Sequence, residues 1–106
     1  MQAGEHPLSY TEQFWEDIAN TIRYITFKLC NHQAAQKLKD DTETEILKLA
    51  RLPLRLKPYF TDEVSGDVYY AVRIGNFTAF FVIIGETYEF RRFLYSARNL
   101  PQALQS

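Results

Sequence analysis

An almost wholly apolar run, residues 77–84, constrains the fold of this chain more than any other feature. Gly75-Asn76 precedes it and Gly85-Glu86 follows it, and both pairs are typical of two-residue hairpin turns. Strands joined by such short turns are antiparallel neighbours, so residues 68–74 and 87–95 are predicted to flank the apolar run. A strand with few polar positions on either face is a central strand, covered by another layer on at least one side.

The N-terminal part of the chain has helical periodicity instead. Apolar residues recur at spacings of three and four, which places them on one face of a helix: Phe14, Ile18, Ile22, Ile25 and Leu29. Trp15 and Ala19 are expected to widen that face. Thr11 is a candidate N-cap, and Glu12, Glu16 and Asp17 place negative charge near the helix N-terminus. The first helix is therefore predicted from Glu12 to Leu29.

A second helix is predicted after the break at Cys30-Asn31-His32, with Asn31 as its cap. It runs from His32 to about Leu52, and its inward face is apolar apart from an interruption at Thr42: Ala34, Ala35, Leu38, Ile46 and Leu49. So short a connection predicts an antiparallel helical hairpin. Pro53 and Pro58 end helical structure, and residues 52–66 are expected to cross irregularly to the strands.

These elements predict an α+β fold, in which an N-terminal α-helical hairpin packs on a small antiparallel β-sheet. A short edge strand at residues 8–10 completes a β-α-α-β-β-β order. With 106 residues, the chain has the size of one domain with one core, and we assign residues 1–106 to that domain, with its core at about 8–100.

Composition limits the classes of function. A net charge of −1 argues against binding nucleic acid mainly by bulk electrostatics. Cys30 is the only cysteine, which fits a reducing compartment, and no apolar run resembles a signal peptide or a membrane span. We therefore expect a cytoplasmic protein that makes no membrane contact.

The sequence lacks the usual marks of a cofactor or metal enzyme. The four glycines are isolated, so there is no phosphate-binding loop. Cys30 and His32 are too few for a zinc site and have no third group to orient them as a nucleophile pair. Glu16 and Asp17 are interpreted as partners of the helix dipole and not as catalytic carboxylates. We expect no cofactor and no metal.

Arginine is the remaining candidate for chemistry. Cationic residues lie on or just after the predicted strands (Arg73, Arg91, Arg92 and Arg98) and on the crossing before them (Arg51, Arg55 and Lys57). By strand alternation, Arg91 should share a face with Phe93 and Tyr95, and Arg92 should lie on the other face. Which of the two arginines faces solvent depends on the register. Arginine beside an aromatic ring suits phosphate binding, base stacking or a protein interface, and ion pairing with nearby acids is the alternative.

Short stretches along residues 8–100 occur in a characteristic order: Ser9-Tyr10-Thr11, Phe14-Trp15-Glu16-Asp17-Ile18, Tyr24-Ile25, Gln33-Ala34-Ala35-Gln36-Lys37-Leu38, Leu52-Pro53, Arg73-Ile74-Gly75-Asn76-Phe77, Phe80-Phe81 and Arg92-Phe93-Leu94-Tyr95-Ser96-Ala97-Arg98-Asn99. Together with the predicted elements, this set resembles the RelE/ParE superfamily of bacterial toxins from type II toxin–antitoxin systems. The resemblance implies a toxin held inactive in a hetero-oligomer by a cognate antitoxin, whose extended or helical segment wraps the toxin.

The resemblance leaves two mechanisms open. RelE-like members cleave mRNA in the ribosomal A site with basic residues around the scissile phosphate. That mechanism would give catalytic roles to Arg73, Arg92, Tyr95 and Arg98, with Lys57 or Arg55 near the phosphate. ParE-like members bind DNA gyrase without a nuclease site, in which case the candidates for target binding are Arg51, Arg55, Lys57 and Arg91.

Thr78 favours the ParE-like mechanism, because ribonuclease members commonly carry arginine just after the Gly-x-aromatic turn. The slightly acidic chain and the aromatic pattern of Phe77 and Phe81 point the same way. The leading hypothesis is therefore a ParE-like toxin acting on DNA gyrase. The alternatives are a RelE-like mRNA endoribonuclease acting on the ribosome and a degenerate, non-toxic member that still binds antitoxin.

Overall fold

The α+β class is confirmed by the computed structural model, which describes residues 6–51 and 56–97. In chain order the elements are β1 (Leu8–Tyr10), α1 (Glu12–Arg23), a π-helix (Tyr24–Lys28), α2 (His32–Arg51), β2 (Phe60–Thr61), β3 (Val68–Ile74), β4 (Phe77–Ile84) and β5 (Thr87–Tyr95). The predicted bounds of β3, β4 and β5 are confirmed, as is the short strand at residues 8–10.

The strands form one sheet in the order β1-β5-β4-β3-β2, so β4 is the central strand, as predicted. β3, β4 and β5 are antiparallel neighbours, and their turns contain Gly75 at φ 60° and Gly85 at φ 63°. A positive φ favours glycine, which explains the sharp reversals. Two features were not predicted: β1 pairs with β5 in parallel, and β2 is a two-residue edge strand within the crossing.

Each face of the sheet has its own apolar cluster. The cluster on the helix side contains Phe14, Ile46, Leu49, Ile74, Ala79, Phe81, Tyr88, Phe90 and Phe93. The cluster on the opposite side contains Tyr69, Phe80, Val82 and Leu94, with Phe60 packed against it. In β4, Phe80 and Phe81 are both buried although they face opposite ways. The apolar run in β4 follows from this burial on both faces.

The helix ends agree with the predicted caps. The Thr11 hydroxyl accepts a hydrogen bond from the Phe14 N–H at 3.2 Å, and the Asn31 side chain accepts one from the Ala34 N–H at 2.9 Å. Both bonds satisfy N–H groups that have no partner within the helix. The two predicted helices therefore begin where these side chains cap them.

The first helix differs from the prediction in its last turn and in the direction of Trp15. Its residues 24–28 form a π-helix, in which the Leu29 N–H donates to the Tyr24 carbonyl at 3.1 Å. The chain then reverses at Cys30, which has φ 48°. Trp15 was expected to widen the buried face, but it is 53% exposed. Helical periodicity alone does not distinguish a side chain in the core from one at the rim of a groove, which is where Trp15 lies.

A β-bulge interrupts β5 at its arginine pair. The register changes between Phe80, which pairs with Arg92, and Phe81, which pairs with Phe90. Arg91 is therefore an extra residue without a partner on β4. A bulge of this kind changes the direction of the side chains that follow it.

Strand alternation consequently failed for Arg91. Its guanidinium lies 5.9 Å from the centre of the Tyr69 ring, on the side opposite the helices. Phe93 lies in the helix-side cluster, and the Tyr95 ring contacts Phe77, which packs against that same cluster. Arg91 thus does not share a face with the two aromatic residues, because the bulge inserts one residue between them.

Asp17 joins α1 to the edge of β5. β1 covers this edge only as far as the pair of Tyr10 with Phe90. Beyond that pair, the Asp17 carboxylate accepts a hydrogen bond from the Phe93 N–H at 2.9 Å and from the Arg92 Nε at 2.8 Å. The interpretation of Asp17 as a helix-dipole partner is wrong, since this carboxylate closes the uncovered part of a strand.

We expect Asp17→Ala to lower the free energy of unfolding by about 2–4 kcal/mol, because four hydrogen bonds to a largely buried carboxylate are lost. Urea denaturation of the two proteins measures the difference. Asp40→Ala is the matched control, since Asp40 is exposed and bonds only Gln36 among the described residues, and it should change stability by less than about 0.5 kcal/mol. Equal effects of the two substitutions would show that Asp17 is not the link between helix and sheet.

Candidate functional site

The Arg91 side chain is held by three groups on the face opposite the helices. Its Nη1 donates to Asp67 at 2.7 Å and to the Tyr69 hydroxyl at 3.4 Å, and its Nε donates to Glu89 at 2.7 Å. Burial alone would lower the pKa of the Arg91 guanidinium. The hydrogen bonds to Tyr69 and to the two carboxylates together raise this pKa by more than burial lowers it, so the pKa is raised overall. Arg91 is therefore a fixed cation that joins the β2–β3 loop to β5.

On the β2–β3 loop, the partner of Arg91 is the Asp67 carboxylate. The hydrogen bond from Arg91 lowers the pKa of the Asp67 carboxyl, although partial burial opposes the change. Within the same loop, the Asp62 carboxylate accepts from the Val64 N–H at 3.0 Å, and the Gly66 N–H donates to the Asp62 carbonyl at 2.7 Å. The Arg91 contacts thus hold an ordered turn in place.

Arg92, the next residue, is bound to α1 through Asp17. Besides the bond from Nε, its Nη2 donates to Asp17 at 3.3 Å, which makes a two-point contact between guanidinium and carboxylate. The side chains of Arg91 and Arg92 are 24% and 17% exposed. The question that the sequence left open has a clear answer: neither arginine presents a free guanidinium to solvent.

Arg73 and Tyr95 are exposed, but they lie on different faces. Arg73 follows Tyr69 and Ala71 on the face opposite the helices, and its Nε donates to the Gly75 carbonyl at 2.8 Å. Tyr95 is 52% exposed, with its ring edge against Phe77 on the helix side. The structure therefore does not bring together Arg73, Arg92 and Tyr95, the described candidates for a ribonuclease site.

Thr78, the position that favours the ParE-like mechanism, is buried and hydrogen-bonded. Its hydroxyl lies 2.7 Å from the Ser96 hydroxyl, and it pairs with Arg73 in the β3–β4 ladder. Ser96 is anchored in turn by its N–H, which donates to the Asn76 carbonyl at 2.8 Å. A short polar pair therefore fills the space beside the Gly-x-aromatic turn.

The remaining sequence candidates differ in what can be said of them. Arg51 ends α2 and is exposed, and Lys57 is exposed on the segment that leads to β2. Arg55 and Arg98 lie outside the described residues. The proposed target-binding group thus has two described, exposed members, while Arg91 is held within the sheet.

Two apolar concavities were not predicted from the sequence. One, of about 710 Å³, lies between α1 and α2, with Phe14, Ile46 and Phe93 among its lining residues and Trp15 at its edge. The other, of about 780 Å³, lies between the end of the helical hairpin and the β3–β4 turn. Exposed aromatic residues inside a helical stripe are the only sequence signal for them, and such residues look the same as core residues.

The strand, the two helices and the mostly antiparallel sheet make this a small α+β domain, consistent with the fold that the RelE/ParE resemblance implies. The sequence profile of the family described as "ParE toxin of type II toxin-antitoxin system, parDE" matches residues 8–100, so this chain belongs to the ParE toxin family. No curated protein sequence matches the chain. Within residues 6–51 and 56–97, no helix is long and apolar enough to cross a membrane.

The lowered pKa of Asp67 predicts a pH-dependent contribution to stability. A carboxyl with a lowered pKa in the folded state stabilises the protein above its ordinary pKa and loses that effect as pH falls through the folded value. Wild type should therefore be more stable than Asp67→Asn near pH 7, by about 1 kcal/mol or less because the pair is partly exposed. The difference should close below about pH 4.

Urea titrations of both proteins across this pH range make the measurement. Asp40→Asn serves as the control, and its difference from wild type should be small at every pH. A gap between wild type and Asp67→Asn that widens toward low pH would contradict the ion pair with Arg91.

Proposed function

We propose that this protein is a growth-inhibiting toxin of the cytoplasm that binds and inhibits DNA gyrase, and that a cognate antitoxin neutralises it. Membership of the ParE toxin family supports the toxin role and an antitoxin partner. The choice of gyrase over the ribosome is our inference. It is carried by one observation, the dispersal of the described ribonuclease candidates over separate parts of the domain.

RNA cleavage through a 2′-OH requires cationic groups to converge on one phosphate, where they stabilise developing charge. Here the Arg92 guanidinium donates hydrogen bonds from Nε and Nη2 to the Asp17 carboxylate. Arg73 and Tyr95 lie on opposite faces of the sheet, so they cannot contact the same phosphate from where they stand. Inhibition of a target by binding does not require cationic groups to converge on one phosphate.

The groove between α1 and α2 supports the antitoxin part of the proposal. Its floor includes Phe14 and Ile18, and exposed Trp15 and Leu47 lie at its edges. A groove of this kind accepts the apolar face of a helix, which anchors through side chains three and four positions apart. The antitoxin would then cover apolar surface that is otherwise exposed to water.

Purified protein is expected to inhibit supercoiling by gyrase, and Lys57→Glu should weaken that inhibition by about tenfold, because it reverses an exposed charge in the proposed contact region. Lys48→Glu, an exposed lysine on α2, is the matched control and should inhibit like wild type. Arg73→Ala should also retain inhibition, since this residue has a role only in the ribonuclease mechanism. Normal supercoiling at excess toxin would exclude gyrase as the target.

Cells that express the chain without antitoxin separate the alternatives. Incorporation of labelled precursors into DNA, RNA and protein is followed after induction, and DNA synthesis is expected to fall first. An early fall in protein synthesis, abolished by Arg73→Ala or Tyr95→Phe, would instead support RelE-like mRNA cleavage. Unchanged incorporation in all three channels would identify a degenerate member that only binds antitoxin.

A further inference from the structure

We propose that the turn end of the helical hairpin is a docking surface for an acidic protein segment that carries apolar side chains. This hairpin-end surface consists of Tyr24, Phe27 and Leu29, together with Tyr95 across the adjoining concavity. It is separate from the groove between α1 and α2. The proposal rests on the fold and the charges alone, and it holds whichever macromolecule the protein inhibits.

The surface exposes an unusual amount of apolar side chain. Phe27 is 71% exposed, Tyr24 and Leu29 are each 56% exposed, and Tyr95 is 52% exposed. Tyr24 and Phe27 are three positions apart in the same π-helical segment. Tyr24, Leu29 and Tyr95 line the same concavity. Large apolar side chains grouped in this way mark an interaction site more often than an inert surface.

The backbone holds these side chains in place. The π-helix places Tyr24 and Phe27 outward while Ile25 stays buried at 8% exposure. The Leu29 N–H donates to the Tyr24 carbonyl, and the Asn31 N–H donates to the Ile25 carbonyl, both at 3.1 Å. A short π-helical segment is rare and is frequently found at functional sites. A surface that is already ordered loses little conformational entropy when a partner binds.

The concavity beside this surface suits apolar side chains. Its volume is about 780 Å³, and aliphatic residues of both helices line it, among them Ile25, Ala34 and Leu38. Phe77 and Tyr95 line it from the sheet. Binding pockets of this size are lined mainly by apolar groups with a few polar groups that fix orientation. A leucine or phenylalanine side chain of a partner would bury apolar area there.

The charge around the surface specifies the partner further. Arg23 and Lys28 are exposed directly beside Tyr24 and Phe27 in the sequence, and Lys39 and Arg23 also line the neighbouring groove between α1 and α2. Among the described residues that line the concavity, Asp41 is the one acid, and its charge is offset by Lys37 at 2.8 Å, so the exposed charge beside the concavity is positive. A partner segment with glutamate or aspartate between its apolar residues therefore complements this end of the protein.

Single-stranded nucleic acid fits the surface less well. Bases bind to flat aromatic platforms that line a continuous basic groove. Here aliphatic residues line the concavity beside Tyr24, Phe77 and Tyr95, and the Phe77 and Tyr95 rings meet edge to face, which is not a flat platform. The protein segment is for this reason the occupant we propose, and nucleic acid binding is an outcome that the experiment detects.

The probe is a short fluorescein-labelled peptide that alternates glutamate with leucine and phenylalanine, titrated with the full-length protein and followed by fluorescence anisotropy. We expect a dissociation constant of about 10–100 μM, weaker binding at higher salt, and no binding of the same peptide with lysine in place of glutamate. Phe27→Ser and Lys28→Glu should each weaken binding by about tenfold. Because Phe27 is largely exposed, its substitution leaves the core intact.

Two variants provide matched controls. Val64→Ser removes a side chain that is 94% exposed on the β2–β3 loop, and Lys48→Glu reverses a charge on α2 far along the chain from the surface. Both should bind the peptide like wild type. The proposal is overturned by any of three results: no peptide binding at about 1 mM protein, equal loss in the control variants, or tighter binding of an oligothymidylate than of the acidic peptide.

The same variants keep this test apart from the proposed function. If wild type binds the peptide but does not inhibit gyrase, and Phe27→Ser loses peptide binding, the docking surface is supported and gyrase is removed as the target. If wild type inhibits gyrase but the Phe27 and Lys28 variants bind the peptide like wild type, the proposed function is supported and the docking surface is overturned.

Discussion

The contact of the Asp17 carboxylate with β5 is the interaction on which the arrangement of this domain depends. β1 is only three residues long, so after Phe90 the edge of β5 that faces away from β4 has no strand beside it. An unpaired strand edge costs free energy when it is buried and invites pairing with another chain when it is exposed. Asp17 satisfies the Phe93 N–H from the helix layer and positions α1 so that Phe14 packs edge-on against the Phe93 ring.

The same contact determines what Arg92 can do. A carboxylate that accepts only from a backbone N–H would carry an uncompensated charge in a mostly buried place. Arg92 supplies that compensation, and the neighbouring Arg91 in the bulge is held separately by Asp67 and Glu89. Two adjacent cations therefore stabilise two different attachments of β5, one to α1 and one to the β2–β3 loop.

The parts of the fold that could be predicted are those encoded by neighbouring residues. Thr11 and Asn31 cap helices through bonds that span three residues, and Gly75 and Gly85 mark turns by their own φ angles. The β-bulge and the parallel pairing of β1 with β5 depend on partners far away in the sequence. Asp17 and Phe93 are 76 positions apart, and no local pattern relates them.

The candidate site was predicted less well than the fold, for a related physical reason. The run from Arg92 to Asn99 contributed to the family resemblance, but a motif records which residues occur and not which of their atoms are already bonded. Arg92 in this run is tied to a carboxylate on α1, whereas Tyr95, three residues later, stands in solvent. Whether Arg92 acts as a stabilising or a functional residue is therefore decided by the Asp17 carboxylate, which is far away in the sequence.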